Sequence, residues 1–494
     1  MLSQLDRRAF LKTTGAALIT PALPGLIRDG LPLLGRRRDS DAGPPPAGSP
    51  RANLLERSTR DSVALYLYGM PGRIGYEYTQ PQIATVAGIY GLLTWVYAGS
   101  GVAEAAHAAN PAALVTEYFD LTWVGDYNQI PGVPWMPAPW SYVNDHENFF
   151  GHWAPIASPQ TRVPNPIFGY SQDAAMRQGN PTGTPREFLA NPFDLDEANP
   201  SNADRWINYF TAQSQSLIAQ SAMDGLMMDE VSQPYGVPPP WGVTPQSWHR
   251  ALDRALAFIR AQLGAGMIML FNGIAIDMVL QPPHLRSVGP WARPASLDYL
   301  RWCDGAQMEV FVTSYVGPQV WPQPVWEEMV DLCMAIARSS VLLAQAPILV
   351  EDPRMRSFAL ASFHLVKGDR SYFSHRGNGD FPWYPEWTLK LGAPLHTAPH
   401  ISGYLVAPGH NIPGVTGAQG VAYTRAFENG IALANPSSQS STVQLAQPGY
   451  LAISQGGGWI GADGTIPAGQ LTYQTVQQVD LPAQSGAHVL WEQP

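Results

Sequence analysis

A chain of 494 residues exceeds one ordinary core, so one large domain, a smaller one and an N-terminal extension are expected. The hydrophobic fraction of 45% and charged fraction of 14% belong to a folded protein, and 16 Trp with 20 Tyr offer flat faces on which sugar C–H groups stack, although aromatics also simply fill cores. The net charge is −10 and no basic stripe survives beyond the N-terminus, Lys occurring only as Lys12, Lys367 and Lys390, which argues against a nucleic-acid partner; Cys303 and Cys333 are too few for a zinc site and read as a pair of buried thiols, with one bridge between them as the alternative.

The chain opens on Arg7-Arg8-Ala9-Phe10-Leu11-Lys12 followed by a weakly apolar stretch to Ile27. This resembles the twin-arginine translocation signal, in which export machinery reads two adjacent guanidinium groups before a short apolar region. Pro21 and Pro24 interrupt that region, so no stable membrane span is expected. The expected products are an export signal over 1–35, a flexible linker over 36–59 rich in Arg, Asp, Gly and Pro, and a protein delivered to the periplasm, cell wall or medium.

From residue 60 to 400, short apolar runs alternate with helical stretches in the order of a parallel α/β barrel. Strands are predicted at 62–69, 92–98, 113–123, 225–231, 267–273, 306–312, 340–346 and 371–375, and helices at 202–221, 245–263, 324–338 and 353–366. The fold class is therefore α/β, a (β/α)8 TIM barrel, with a doubly wound sheet as the competing reading. After the third strand, residues 124–200 are rich in Pro and Trp and lack periodicity, which predicts a lid or cleft wall carrying Trp135 and Trp140 on the catalytic face. From 401 to 494 short β runs separated by turns predict a C-terminal all-β sandwich, with a hairpin turning at Asn429-Gly430.

Alternation along barrel strands selects the candidate site, because inward residues at the C-terminal ends face the cleft. In Leu226-Met-Met-Asp229-Glu230, Asp229 shares a face with Met227; in Gln307-Met-Glu309-Val-Phe311, Glu309 shares a face with Gln307 and Phe311. Asp229 and Glu309 are the candidate catalytic pair, since glycoside cleavage needs one carboxyl to protonate the leaving oxygen and another to attack or stabilise the oxocarbenium-like centre. An acidic residue at a strand end also serves as a cap or rim salt-bridge partner. Asn272 closes the fifth strand, placed to bond a sugar hydroxyl. Asp120, Glu230, Tyr66, Tyr68 and His375 complete the candidate substrate-binding set, with core packing the alternative for the tyrosines and the histidine. Glu117, on the other face from Asp120, reads as structural.

The run Met223-Asp-Gly-Leu-Met-Met-Asp-Glu230, then Leu270-Phe-Asn-Gly273, then Cys303-Asp-Gly-Ala-Gln-Met-Glu-Val-Phe311 resembles the hypothetical glycosyl hydrolase barrels, distantly like the α-galactosidase-type clan. Arg425-Ala-Phe-Glu-Asn-Gly430 with Asn435-Pro436 is similar to the β domain behind such barrels. The resemblance spans roughly residues 60–490 and implies Asp229 as nucleophile and Glu309 as acid/base, with Glu here where the clan's sixth strand has Asp. It implies a poly- or oligosaccharide substrate and no cofactor or metal.

Other chemistries lack their motifs. Gly456-Gly-Gly-Trp-Ile-Gly461 fits G-x-G-x-x-G but sits among β turns with no helix after it, and no G-x-S-x-G, H-E-x-x-H, G-K-[ST] or D-x-D-x-D-G occurs. The readings that stand are an exported glycosidase, a non-catalytic glycan-binding barrel, or a structural exported protein. A separation near 5 Å between the carboxyls means retention and roughly 6.5–9.5 Å means inversion, which sequence leaves open.

Overall fold

A computed structural model describes residues 43–59, 63–70, 78–125, 162, 187–189, 206–231, 241–274, 296–313, 320–348, 352–376, 381–408 and 410–494. Eight parallel strands close into a barrel: β1 (Ala64–Met70), β2 (Leu92–Val96), β3 (Leu114–Asp120), β4 (Gly225–Asp229), β5 (Ile268–Asn272), β6 (Gly305–Met308), β7 (Val341–Pro347) and β8 (Ser371–Arg376), with β8 pairing back onto β1. Each lies where its apolar run predicts it, and closure rules out the doubly wound alternative. Trp135 and Trp140 fall outside the described residues. The insertion that carries them is rooted by a short antiparallel pair, Trp123–Gly125 with Glu187–Leu189.

The segment read as linker contains a helix. Ser49 caps α1 (Pro50–Glu56) by accepting the Ala52 N–H, and Pro50 supplies a first-turn φ without wasting a donor. Leu54 enters the apolar lumen beside Tyr66, Leu114, Ile268, Leu343 and Tyr372. Arg51 Nε meets Asp304 at 2.5 Å, and Arg260 Nη2 meets the other oxygen of Asp304 at 2.8 Å. So α1 plugs the N-terminal mouth of the barrel; composition alone suggested a spacer because its two anchoring residues are few.

The outer helices are α2 (Gln80–Ile89), α3 (Val102–Ala109), α4 (Trp206–Gln220), α5 (Pro245–Leu263), α6 (Gln323–Ser339) and α7 (Pro353–Val366). Thr244 and Ser247 form a capping box on α5, and Asp352 caps α7. The paired Asp-Gly motifs explain themselves at the strand starts. Asp224 accepts the Val115 N–H and Asp304 the Met269 N–H, each pinning the preceding strand. A Cβ on Gly225 or Gly305 would sit 2.1 and 2.3 Å from the Ile268 and Val341 carbonyl oxygens, so only glycine lets the next strand approach.

The C-terminal region opens on a 3-10 turn, Ile401–Tyr404, and is β thereafter; apart from Gly458–Trp459, which pairs with Pro382–Trp383, its strands belong to one antiparallel sheet: β9 (Val415–Gln419), β10 (Tyr423–Phe427), β11 (Gly430–Asn435), β12 (Ser441–Gly456), β13 (Gly469–Leu481) and β14 (Ser485–Leu490). An irregularity between Gln444 and Gly449 bends β12, whose first half pairs with β9 and whose second half pairs with β14. The sheet thereby curls as a half-barrel around Ile431, Leu433, Val443, Val479 and Val489 instead of forming two separate sheets. The hairpin turns at Glu428-Asn429; Gly430 already pairs with Phe427, and is required because a Cβ would lie 2.1 Å from the Val489 carbonyl. Arg425 donates to the carbonyls of His364, Leu365 and Lys367, capping α7 and fixing the half-barrel to the parallel barrel. The cysteines are free and buried, with burial pushing both thiols up.

Glu117 faces the helices between Val115 and Phe119. It is buried with one oxygen unpartnered among the described residues, and desolvation raises its pKa from 4.5 to about 8 against a single Ala98 N–H donor. Because the folded pKa is raised, the stability it allows is complete below pH 4.5 and is lost as pH rises through 8. Glu117→Gln should match wild type near pH 4 and exceed it at pH 9 by on the order of 4 kcal/mol in urea unfolding. Parallel stability-against-pH curves for the two proteins would refute this.

Candidate active site

Three strand ends converge on one hydrogen-bonded group. Asp229 closes β4 and is 2% exposed, and from the described residues its carboxyl accepts four hydrogen bonds. Tyr118 Oη (2.7 Å) and Tyr68 Oη (3.2 Å) donate to Oδ2, while the Glu230 N–H and Asn272 Nδ2 (both 2.8 Å) donate to Oδ1. The arrangement holds the buried carboxyl in one orientation, since these donors occupy both of its oxygens.

Asn272, at the end of β5, reaches both candidate carboxylates: the same Nδ2 that contacts Asp229 donates to Glu309 Oε2 at 2.7 Å. An amide nitrogen has two hydrogens, so both are engaged and only the Asn272 carbonyl oxygen is left for a sugar hydroxyl. The two carboxylate oxygens can be no farther apart than those two bonds laid end to end. With the hydrogens fanned at their usual angle, the separation is about 5 Å.

Glu309 stands just beyond β6, which ends at Met308, and is half-buried. The strand is shorter than its apolar run suggested. The chain turns at Glu309 and Val310, so Phe311 packs into the outer core with Met308 instead of sharing the inward face. Below the carboxylates, Gln307 donates to Gln345 at 2.7 Å, both fully buried in the lumen.

The remaining candidates divide. Tyr68 touches Asp229, whereas Tyr66, two residues deeper, is fully buried in the lumen core beneath the site. Asp120 pairs in register with Asp229, but its Oδ1 accepts the Thr122 N–H and so shapes the turn after β3. Glu230 contributes through its backbone: a left-handed φ of 55° turns its N–H back onto Asp229, and its carbonyl accepts the Thr122 hydroxyl. His375 does not face the cleft. Alternation on β8 sends Tyr372 into the lumen and His375 to the helix side, where its ring lies 5.1 Å from Tyr384 at 11°, and burial beside Arg356 lowers its pKa to about 3.

Alternation on β3 places Tyr118 inward with Asp120, but the strand pattern did not select Trp95 or Tyr97; the three build the wall beside Asp229. Trp95 stacks on Tyr118 (4.6 Å, 22°) and lies 4.8 Å from Tyr68, and its indole N–H donates to Tyr97 Oη. Among the described residues no group of three His, Cys, Asp or Glu could hold a metal ion.

The arrangement can therefore supply an oriented carboxylate, a second carboxyl open to water, and an aromatic wall. No curated protein sequence matches the chain. Among solved structures it is similar to the isomalto-dextranase of Arthrobacter globiformis T6 complexed with panose (12% identity, TM-score 0.38, covering 90% of this chain and 74% of that one). It is similar also to a type I pullulanase of Bacillus subtilis (11%, 0.35, 79% and 55%) and an α-galactosidase of Lactobacillus brevis (10%, 0.37, 90% and 57%). The chain thus spans little more than half the length of the last two. The sequence matches a family profile over residues 107–431, more than half its length and enclosing Asp229, Asn272 and Glu309. The chain belongs to hypothetical glycosyl hydrolase family 15.

Proposed function

We propose that this protein is a retaining glycoside hydrolase acting on a poly- or oligosaccharide, with Asp229 as nucleophile and Glu309 as acid/base. The observation that supports the reading is the single Asn272 nitrogen bonded to both carboxylates, which keeps one oxygen of each within about 5 Å of the other, close to the separation expected of a retaining pair. Asp229 suits the nucleophile because these donors hold its carboxyl in one orientation at the end of β4. Glu309, half-buried at the end of its strand, can exchange protons with water, as an acid/base must between two half-reactions.

In the first step Glu309 gives its proton to the leaving glycosidic oxygen while an Asp229 oxygen bonds the anomeric carbon. In the second, Glu309 takes a proton from water as the hydroxyl displaces Asp229, regenerating both groups. We propose further that the enzyme is exported by the twin-arginine pathway, a reading supported by Arg7-Arg8-Ala9-Phe10-Leu11-Lys12. Among the described residues no helix is long and apolar enough to cross a membrane.

The test is a reducing-end release screen on plant and cell-wall glycans, followed by NMR of the first product formed. The product is expected to keep the anomeric configuration of the bond cleaved; an inverted product would eliminate the covalent route. Binding without release on every glycan would favour a glycan-binding barrel.

A further inference from the structure

We infer that Trp95 is a positioning residue for the nucleophile, a wedge that holds Tyr68 and Tyr118 on Asp229. The inference rests on Asp229 being the reacting carboxylate.

The backbone of β2 is built to bring this ring inward. Leu92 faces the lumen and Leu93 the helices, so simple alternation would send Trp95 outward and Val96 inward. The observed order is the reverse. The pairing of β2 with β3 slips between Leu93 and Val96, Trp95 adopts a left-handed φ of 58°, its ring joins the lumen cluster, and Val96 packs outside. A bulky L residue is costly in that region, and bulges beside active sites commonly re-aim a side chain.

What the distortion achieves is visible in the contacts. β2 lies between β1 and β3, which carry Tyr68 and Tyr118. The indole sits between their rings, stacked on Tyr118 at 4.6 Å and tilted against Tyr68 at 4.8 Å. Both phenols donate to the same oxygen, Asp229 Oδ2. The indole is itself fixed, through its N–H to Tyr97 Oη, and the Tyr97 ring meets Tyr118 edge-on at 5.7 Å. A phenol has two torsions before its hydroxyl, and without a ring between them both tyrosines gain freedom to swing off the carboxylate. The bonds that keep Asp229 aimed would then be made only part of the time, while residues that contact substrate elsewhere would be untouched. That predicts a loss in kcat with little change in KM.

The experiment uses full-length protein and the 4-nitrophenyl glycoside that wild type cleaves fastest in a panel of α and β anomers. Trp95→Ala is expected to lower kcat about 30-fold with KM within about twofold, and Trp95→Phe, which keeps a ring in the wedge, to recover most of the loss. The decisive reading is the cycle with Tyr118→Phe: if Trp95 acts through Tyr118, the double variant is little worse than the poorer single one, whereas independent effects multiply. Should Trp95→Ala fail to fold, the same cycle is read with Trp95→Leu, which fills part of the space but puts no ring between the two tyrosines. Wild-type kcat in Trp95→Ala, a change confined to KM, or multiplying losses would each overturn the inference. Asp229→Asn is measured alongside: full activity there would bring down the assignment of the nucleophile, while an inactive Asp229→Asn beside a neutral Trp95→Ala would bring down this inference alone.

Discussion

Asp229→Asn is expected to lose activity on the order of 10³–10⁵-fold while remaining folded. An amide cannot form the glycosyl ester, so the first covalent step has no nucleophile. The surroundings tolerate the exchange, however. The Glu230 N–H and Asn272 Nδ2 can only donate, so the new carbonyl oxygen must face them. The new NH2 then faces Tyr68 and Tyr118, whose hydroxyls can rotate to accept. The measurement is kcat/KM with a thermal melt as the check on folding. A second variant, Asp229→Gly in azide, is expected to regain turnover as a glycosyl azide of inverted configuration, because the small anion enters the space the carboxylate leaves. Activity within tenfold of wild type in Asp229→Asn would remove Asp229 from the mechanism.

Much of this site could be read along the chain because barrel strands write their faces in alternation. Asp229, Asn272 and Glu309 each interrupt an apolar run at its C-terminal end, where a buried polar residue is costly unless it has work or partners. The failures fall where the backbone departs from that period. Trp95 was invisible because a bulge reverses the parity of β2, and Phe311 was misplaced because β6 ends at Met308. His375 lies on the correct strand, but on its helix face.

The Asp-Gly motifs were read together with the candidate carboxylates Asp229 and Glu309 five residues later, yet Asp224 and Asp304 act at the opposite end of the barrel. One motif thus contains a structural pin and a site residue joined by one strand. The plug helix was missed for a related reason: its meaning lies in Arg51 reaching an aspartate across more than half the chain, a pairing no local pattern announces. The Trp-rich insertion, for which composition predicts a cleft wall, carries the β pair of Trp123–Gly125 with Glu187–Leu189, which begins three residues after the C-terminal end of β3.

That buried charge at the base of the barrel gives the largest stability effect. Asp304→Asn is expected to cost about 3–5 kcal/mol in urea unfolding, since it strands two guanidinium groups that have left water. Arg51 and Arg260 are 2% and 3% exposed, and each uses its other hydrogens on backbone carbonyls: Gly43 and Ala265 for Arg51, Trp302 and Met267 for Arg260. Those bonds survive the substitution, so what is lost is the compensating charge. The Met269 N–H at the start of β5 also exchanges a charged acceptor for a neutral one. Arg51→Met should be far milder, costing roughly 1 kcal/mol, because it leaves Arg260 and Asp304 as a matched pair and puts an apolar chain at the mouth of the lumen. The order of the two variants tests the account more sharply than either value. If Arg51→Met were the more damaging, the helix α1 would be held by its arginine's carbonyl contacts and not by the ion triad. Faster amide exchange across residues 50–56 in Asp304→Asn, with β4 protected as in wild type, would locate the loss at the plug.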